Sequence, residues 1–226
     1  MENNPINKIY LSGSILDLKP VEVHSKILET GEYLDFIHID VMDGVFVPNK
    51  TNGIDMFKNA LRFEKRPLDV HLMVDDPLSV ISNFEGAKII TFHVETIIND
   101  KTMTLDMEKF NDIAREIRSI GALVGVAIKP NTTESLLRMI MPKVDLILVM
   151  TVEPGYGAQK LIPHTINKIE NVRKMGFKGF LEVDGGINLD NCEIVQKMGA
   201  NVIVAGTALF GANYIYEAAK GLKGLS

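Results

Sequence analysis

The sequence predicts a closed (β/α)8 barrel, the TIM-barrel fold, as a single domain over residues 1–226. Two observations predict it. Short β-rich apolar runs alternate with longer helical patterns along the chain, giving eight strand segments, and strict alternation requires parallel strands joined by right-handed crossovers. The chemically unusual side chains fall at strand C-termini drawn from around the whole set: His38 and Asp40, His71, Glu95, Thr151 and Asp184. In a closed barrel those ends meet at one mouth, where active sites of this fold lie. In a doubly wound open sheet, the runner-up, the outer strands would stand too far apart.

The first strand is expected at Lys8–Ser14, followed by a helix over Pro20–Thr30 that opens on proline and closes at Gly31. Tyr33–Met42 and Pro67–Val74 read as the next strands, apolar runs of strand length. A helix over Pro77–Glu85, closed by Gly86, precedes the strand Lys88–Val94. Met107–Ile120, closed by Gly121, leads to Leu123–Ile128, and Thr133–Met141, opened by threonine, leads to Val144–Thr151. Ile162–Met175 ends at Gly176 before the strand Gly179–Asp184. Asn188–Met198 ends at Gly199 before the strand Asn201–Ala205, and Phe210–Lys220 is the last helix.

With 46% hydrophobic and 23% charged residues, the chain has the balance of an ordinary globular protein rather than a disordered one. A net charge of −5 without a basic run argues against nucleic acid or an anionic membrane as partner. An anionic small molecule is still allowed, because backbone N–H groups at helix N-termini bind phosphate without net positive charge. The single cysteine, Cys192, cannot form an internal disulfide, and Met1 to Pro5 lacks the basic and apolar regions of a secretory signal, so a cytoplasmic location is expected. No apolar run approaches the roughly 20 residues that span a bilayer.

Side chains two apart on a strand share a face. His38, Asp40 and Met42 therefore point one way and Ile37, Ile39 and Val41 the other, which sets an imidazole and a carboxylate together inside the fold. Burying an unpaired carboxylate is strongly unfavourable, and His71 and Asp184 supply matching partners. His38, Asp40, His71 and Asp184 are thus expected to converge on one divalent metal ion, Zn²⁺ first, with Fe²⁺, Mn²⁺ or Co²⁺ tolerated by the same donors. Asp40 and Asp184 are also the candidate catalytic pair. Two carboxylates on opposite sides of a substrate carbon can remove a proton from one face and return one to the other, inverting a stereocentre. A proton alpha to a ketone is too weakly acidic for aspartate unless the enediolate is stabilised, which a Lewis-acidic metal provides.

Met42, Met73 and Met150 lie near strand C-termini in a chain with 11 methionines, where thioethers would either exclude water from the site or fill the core. Three glycine-containing turns follow the last three strands: Glu153 to Gln159, with Gly155 and Gly157, then Asp184-Gly185-Gly186-Ile187, then Ala205-Gly206-Thr207-Ala208. Placed at one mouth, they point to a phosphate held by backbone dipoles, since none carries Lys or Arg, with Thr207 adding a hydroxyl.

These residues resemble the ribulose-phosphate 3-epimerase family over nearly the whole chain. The matching stretches are Ser14-Ile15-Leu16, His38 to Asn49, Asp69 to Val74, Val149 to Gly155, Glu182 to Ile187 and Gly206-Thr207-Ala208. The resemblance implies a barrel of the ribulose-phosphate-binding type and a metal held by His38, Asp40, His71 and Asp184. It implies acid/base roles for Asp40 and Asp184 in interconverting D-ribulose 5-phosphate and D-xylulose 5-phosphate at C3. It further implies that Ser14 and His71 touch the sugar, and that Gly155, Tyr156, Gly157, Ala158, Gly185, Gly186, Gly206 and Thr207 surround the phosphate. The expected partners are a phosphorylated ketose and further copies of the chain in a homo-oligomer, since barrels of this kind often associate through outer helices.

The chain departs from the family pattern at Gly13, at Asp17-Leu18-Lys19, at Tyr156 and at Ala158. Thr96 to Leu105 reads as an insertion at the mouth, where it would lid the site or alter the sugar accepted. The nearest rival is an epimerase of a longer ketose such as D-allulose 6-phosphate, which His93-Val94-Glu95-Thr96-Ile97 resembles slightly, while the Asp-Gly-Gly-Ile turn favours the pentose. Decarboxylases and aldolases related to orotidine-phosphate decarboxylase need a lysine near paired aspartates on one strand, and only Val41 and Met42 lie between Asp40 and Asp43. A phosphosugar-binding barrel without activity would be expected to lose a ligand, and all four are present.

Overall fold

Eight apolar runs pair in parallel and close on themselves in the computed structural model, which describes residues 8–99 and 102–225. The barrel strands are β1 (Tyr10–Ser14), β2 (Phe36–Met42), β3 (Leu68–Met73), β4 (Ile89–His93), β5 (Leu123–Ile128), β6 (Leu146–Met150), β7 (Phe180–Asp184) and β8 (Val202–Ala205). Each pairs with its neighbours in sequence, and β8 closes on β1 from Tyr10↔Val202 to Gly13↔Ala205. The expected barrel is therefore present and the open sheet is not. Outside it pack α1 (Pro20–Glu29), α2 (Gly53–Phe63), α3 (Met107–Ser119), α4 (Thr165–Lys174), α5 (Cys192–Lys197), α6 (Thr207–Phe210) and α7 (Ile215–Leu222). Met1 to Pro5 and residues 100 and 101 of the expected insertion lie outside the described residues.

Strand alternation sorts the apolar side chains into an outer and an inner core. Ile37, Ile39 and Val41 of β2 join Val70, Leu72, Phe57 and Ala60 between the barrel wall and the helices. Phe36, Ile89, Leu146, Leu148 and Met150 pack inside the barrel, with Tyr10 and Phe180 against them. Tyr10 meets Phe36 at 5.9 Å and Phe180 at 5.3 Å between ring centroids, a tilted aromatic cluster.

Helix ends follow local chemistry. Asp106 caps α3 by accepting from Glu108 N at 3.1 Å and Lys109 N at 3.0 Å. The five glycines expected beyond helix ends, Gly31, Gly86, Gly121, Gly176 and Gly199, all have positive φ. Several segments differ from expectation. Pro77–Glu85 forms two short 3₁₀ turns, Pro77–Ser79 and Ile81–Phe84, pinned by fully buried Ile81 and Phe84. Thr133–Met141 is a 3₁₀ segment over Glu134–Met139, with Pro142 close behind. Asn188 caps a turn ahead of α5 instead of opening the helix, accepting from Asp190 N at 2.9 Å and Asn191 N at 3.2 Å. Helix α2 is absent from the expected set, although Gly53, Phe57 and Ala60 form its buried stripe at helical spacing.

Thr96 to Leu105 also departs from expectation. Ile98–Asn99 and Thr104–Leu105 pair as a short antiparallel ladder, and Ile97 and Leu105 bury into the outer core. The described residues of this segment do not line the cleft at the mouth. Among the described residues, no helix is long and apolar enough to cross a membrane.

Inside the wall, Thr91 on β4 lies beside Gly125 on β5 in register. A Cβ on Gly125 would stand 2.1 Å from Thr91 Oγ1 and 3.1 Å from Thr91 Cα, so the glycine is required by packing. We expect Gly125→Ala to lower the unfolding free energy by about 1–3 kcal/mol, measured by urea denaturation. Thr91→Ala in the same chain should recover part of that loss, because it removes the hydroxyl.

Candidate active site

The register of β2 on β3 sets His38 opposite Asp69 and Asp40 opposite His71. All four face the barrel interior, where His38 Nδ1 lies 2.8 Å from Asp69 Oδ2 and His71 Nδ1 lies 3.2 Å from Asp40 Oδ1. Asp184, at the end of β7, brings Oδ2 to 3.8 Å from both His38 Nε2 and His71 Nδ1. One donor atom from each of His38, Asp40, His71 and Asp184 thus lies within 4.8 Å of the others. The four residues picked from the sequence are brought together.

This cluster fits a cation. His38 Nε2 is buried and makes no hydrogen bond, although Asp40 Oδ1 lies 3.4 Å away. An orphaned imidazole nitrogen facing two carboxylates and a second imidazole is the donor set of a divalent metal site. A neutral His38 that gives its Nδ1–H to Asp69 leaves the Nε2 lone pair facing the cluster, the usual arrangement of a metal-binding histidine.

The carboxylates are held by neighbours. Ser14 Oγ donates to Asp40 Oδ2 at 2.9 Å, and Thr51 Oγ1 donates to the Asp40 carbonyl at 2.8 Å while accepting from Met42 N at 3.0 Å. Thr151 N donates to the Asp184 carbonyl at 2.8 Å and its Oγ1 donates to the Gly185 carbonyl at 2.6 Å. Below this layer, Ser12 Oγ donates to Asp69 Oδ2 at 2.9 Å. Glu182 is fully buried beside it, and burial together with the Asp69 charge raises its carboxyl well above the usual range.

Asp69, Glu182 and Ser12 are missing from the sequence reading, yet each stands two residues before a picked one: His71, Asp184 and Ser14. The same-face rule applied to β2 would have found them on β3, β7 and β1. His93, at the end of β4, is the other omission. Its Nε2 lies 2.9 Å from His71 Nε2, and its Nδ1 lies 3.1 Å from Glu95 Oε2.

The two aspartates are pushed apart electrostatically. Burial raises Asp184, the Asp40 charge adds to it, and its carboxyl is pushed up to about 6. Asp40 is equally buried, but in the metal-free protein the neighbouring imidazoles of His38 and His71, when positively charged, overcome that penalty and hold it far below the usual carboxylate range. At neutral or mildly acidic pH, one carboxylate is firmly ionised and the other sits near its titration point. Such a separation is what acid/base chemistry by two carboxylates requires.

Above the cluster opens a cleft of about 350 Å³. Ser14, Asp40 and Asp184 reach its wall, as do Met42, Met73 and Met150. The three turns meet there too, through Gly155, Tyr156, Gly157, Ala158, Gly185, Gly186, Gly206 and Thr207. All three methionines are buried in inner packing clusters and also line the cleft. His38 and His71 are fully buried and stand behind the cleft wall. Gly186 has φ +67° and a Cβ there would lie 2.3 Å from Leu161 N, so only glycine fits the turn. Ala158, where the family pattern has glycine, occupies the left-handed region at φ 55°. Asp17 also lines the cleft, and a Cβ on Gly157 would lie 2.6 Å from its Oδ2.

Residues 10–210 match the model of the ribulose-phosphate 3 epimerase family. The chain is 41% identical to the chloroplastic ribulose-5-phosphate-3-epimerase of Arabidopsis thaliana, over 84% of this chain and 66% of that protein, so it spans about two thirds of that relative's length. It is 37% identical to the ribulose-phosphate 3-epimerase of Methanocaldococcus jannaschii over 95% of this chain and 90% of that one. In fold it is similar to the 3-hexulose-6-phosphate synthase of Salmonella typhimurium, with a TM-score of 0.73 over 96% of this chain and 97% of that chain at 14% identity.

The raised Asp184 carboxyl links stability to pH. Its folded pKa of about 6 exceeds the ordinary aspartate value of about 3.9, so between those values the folded protein keeps a proton that the unfolded chain has lost, and stability falls as pH rises through the window. In metal-free protein, Asp184→Asn should therefore raise the unfolding free energy by roughly 2–3 kcal/mol above the window. Below it the difference should vanish. Urea unfolding of the chelator-treated native and variant proteins on both sides of the window measures this.

Proposed function

The chain belongs to the ribulose-phosphate 3-epimerase family, and on that premise we propose that Asp40 and Asp184 carry the proton transfers that interconvert D-ribulose 5-phosphate and D-xylulose 5-phosphate at C3. The observation that carries the reading is the pair itself: two carboxylates at the base of one cleft, one held ionised and one raised to about 6. Ionised Asp40 takes the C3 proton from one face, and the C–H electron pair moves into the C2–C3 bond as the ketone becomes an enediolate. Protonated Asp184 returns a proton to C3 from the opposite face as the ketone re-forms. In the reverse direction the two exchange roles.

His38, Asp40, His71 and Asp184 would hold the metal, Zn²⁺ first among Fe²⁺, Mn²⁺ and Co²⁺ on the chemistry of two imidazoles and two carboxylates. When bound, such a cation supplies Lewis-acid stabilisation of the oxygen charge that develops on the substrate. Ser14 fixes Asp40 through its hydrogen bond and faces the sugar. His71 stands beside Asp40 behind the cleft wall, with Nδ1 3.2 Å from Asp40 Oδ1, where both can face one cation. Met42, Met73 and Met150 keep water from the carbanionic face. Gly155, Tyr156, Gly157 and Ala158 meet Gly185, Gly186, Gly206 and Thr207 around the phosphate, supported by their shared cleft. The same reading has the chain in the cytoplasm as a homo-oligomer, supported by the exposed Val21 and Leu28 on the outer helix α1.

Initial rates with D-ribulose 5-phosphate and D-allulose 6-phosphate side by side test the substrate, and the pentose is expected to be strongly preferred. Asp40→Asn and Asp184→Asn should each lower the epimerisation rate by about 10²–10⁴-fold or more in folded protein. In D2O, the product should carry solvent deuterium at C3. A folded Asp184→Asn protein within tenfold of the native rate would sink the two-aspartate mechanism; equal or greater rates on the hexose would sink the pentose assignment.

A further inference from the structure

His71 is one of two histidines facing the cluster, and its outer nitrogen does not meet a carboxylate or a carbonyl. Nε2 instead meets His93 Nε2 at 2.9 Å. Two imidazole nitrogens at that distance can share only one proton, so the direction of the bond has to be set elsewhere. It is set at the far side of His93. His93 Nδ1 lies 3.1 Å from Glu95 Oε2, a carboxylate that can only accept, which places the His93 proton on Nδ1 and leaves Nε2 as an acceptor. His71 must then donate from Nε2, and its Nδ1 lone pair is free to face Asp40, Asp184 and the metal position.

The surroundings hold this chain of bonds in one orientation. His93 is fully buried, its ring lies 4.7 Å from that of Phe46, and Lys129 Nζ sits 3.8 Å from the Phe46 centroid. Glu95 Oε1 accepts from Lys129 N at 2.7 Å, so both carboxylate oxygens are engaged by donors. An amide at this position cannot accept at both. If its NH2 faced His93, the whole line would reverse, and the His71 proton would point into the ligand cluster.

We propose that Glu95 and His93 are positioning residues that fix the tautomer of His71 and thereby set the affinity of the cluster for its metal. The inference rests on the metal-site reading given above, and it adds a two-residue relay behind a single ligand. A bonded partner on the outer nitrogen of a metal-binding histidine typically changes affinity by about 10–100-fold, and an effect of that size is expected here.

The test is Zn²⁺ affinity by competition with a chromophoric chelator, for the native chain, His38→Ala, Glu95→Gln and His93→Leu. Alongside it, ¹⁵N-histidine spectra of the Zn²⁺-loaded proteins report which ring nitrogen of His71 carries the proton. The native chain should show His71 protonated at Nε2, and both relay variants should bind Zn²⁺ about 10–100-fold more weakly. Native affinity unchanged by His38→Ala would overturn the metal site itself. Native-like affinity and an unchanged His71 spectrum in folded Glu95→Gln would overturn the relay while leaving the site standing. Glu95 sits at the rim with its side chain 16% exposed, so that variant carries the test if His93→Leu does not fold.

Discussion

The pairing register of β2 on β3 is the constraint on which the rest of the interior depends. It places His38 against Asp69 and, one step further along the same face, Asp40 against His71. Each histidine therefore lies against an acid in the buried interior, where unpartnered polar groups are costly. A slip of one residue would turn Ile37, Ile39 and Val41 into the barrel and these polar groups into the outer core, so the alternative register is strongly unfavourable. Folding and site assembly are thus one event on these two strands.

The barrel interior is built as two polar layers under an apolar collar. Asp69, Ser12 and Glu182 form the lower layer, and His38, Asp40, His71 and Asp184 form the upper one. Met42, Met73 and Met150 surround the opening. The lower layer fixes the ring of His38 before any ligand arrives, as a preorganised site requires. The side away from β7 is fixed by a different device, the stacked Lys129, Phe46 and His93.

Much of this was legible from residue order. Strand periodicity and glycine stops located all eight strands, and the convergence of odd residues on strand ends distinguished a closed barrel from an open sheet. The upper polar layer was legible because its members sit in recognisable motifs. The lower layer escaped because Asp69 and Glu182 look like ordinary charged residues until the same-face rule is carried two positions back along each strand. Helix α2 escaped although Gly53, Phe57 and Ala60 recur at helical spacing, because the Asn52-Gly53 pair that opens it reads as a turn. His93 escaped for another reason: its partner, His71, lies on a neighbouring strand, and nothing in residue order shows that their nitrogens face one another. The hairpin at Ile98 and Leu105 was misplaced because an insertion is visible in sequence, but the direction in which it folds is not.

Thr151 has a wider effect than its single hydroxyl suggests. By donating its backbone N–H to the Asp184 carbonyl and its hydroxyl to that of Gly185, it joins the end of β7 and the glycine turn beyond it into one piece. The spacing between the Asp184 carboxylate and the backbone of that turn is then a property of the scaffold and does not relax with each ligand. A substrate anchored by its terminal anion at the turn would present one particular carbon to the carboxylate, and an extra carbon would shift the wrong centre into place. On the proposed reading, the turn would act as a ruler that selects chain length by measurement.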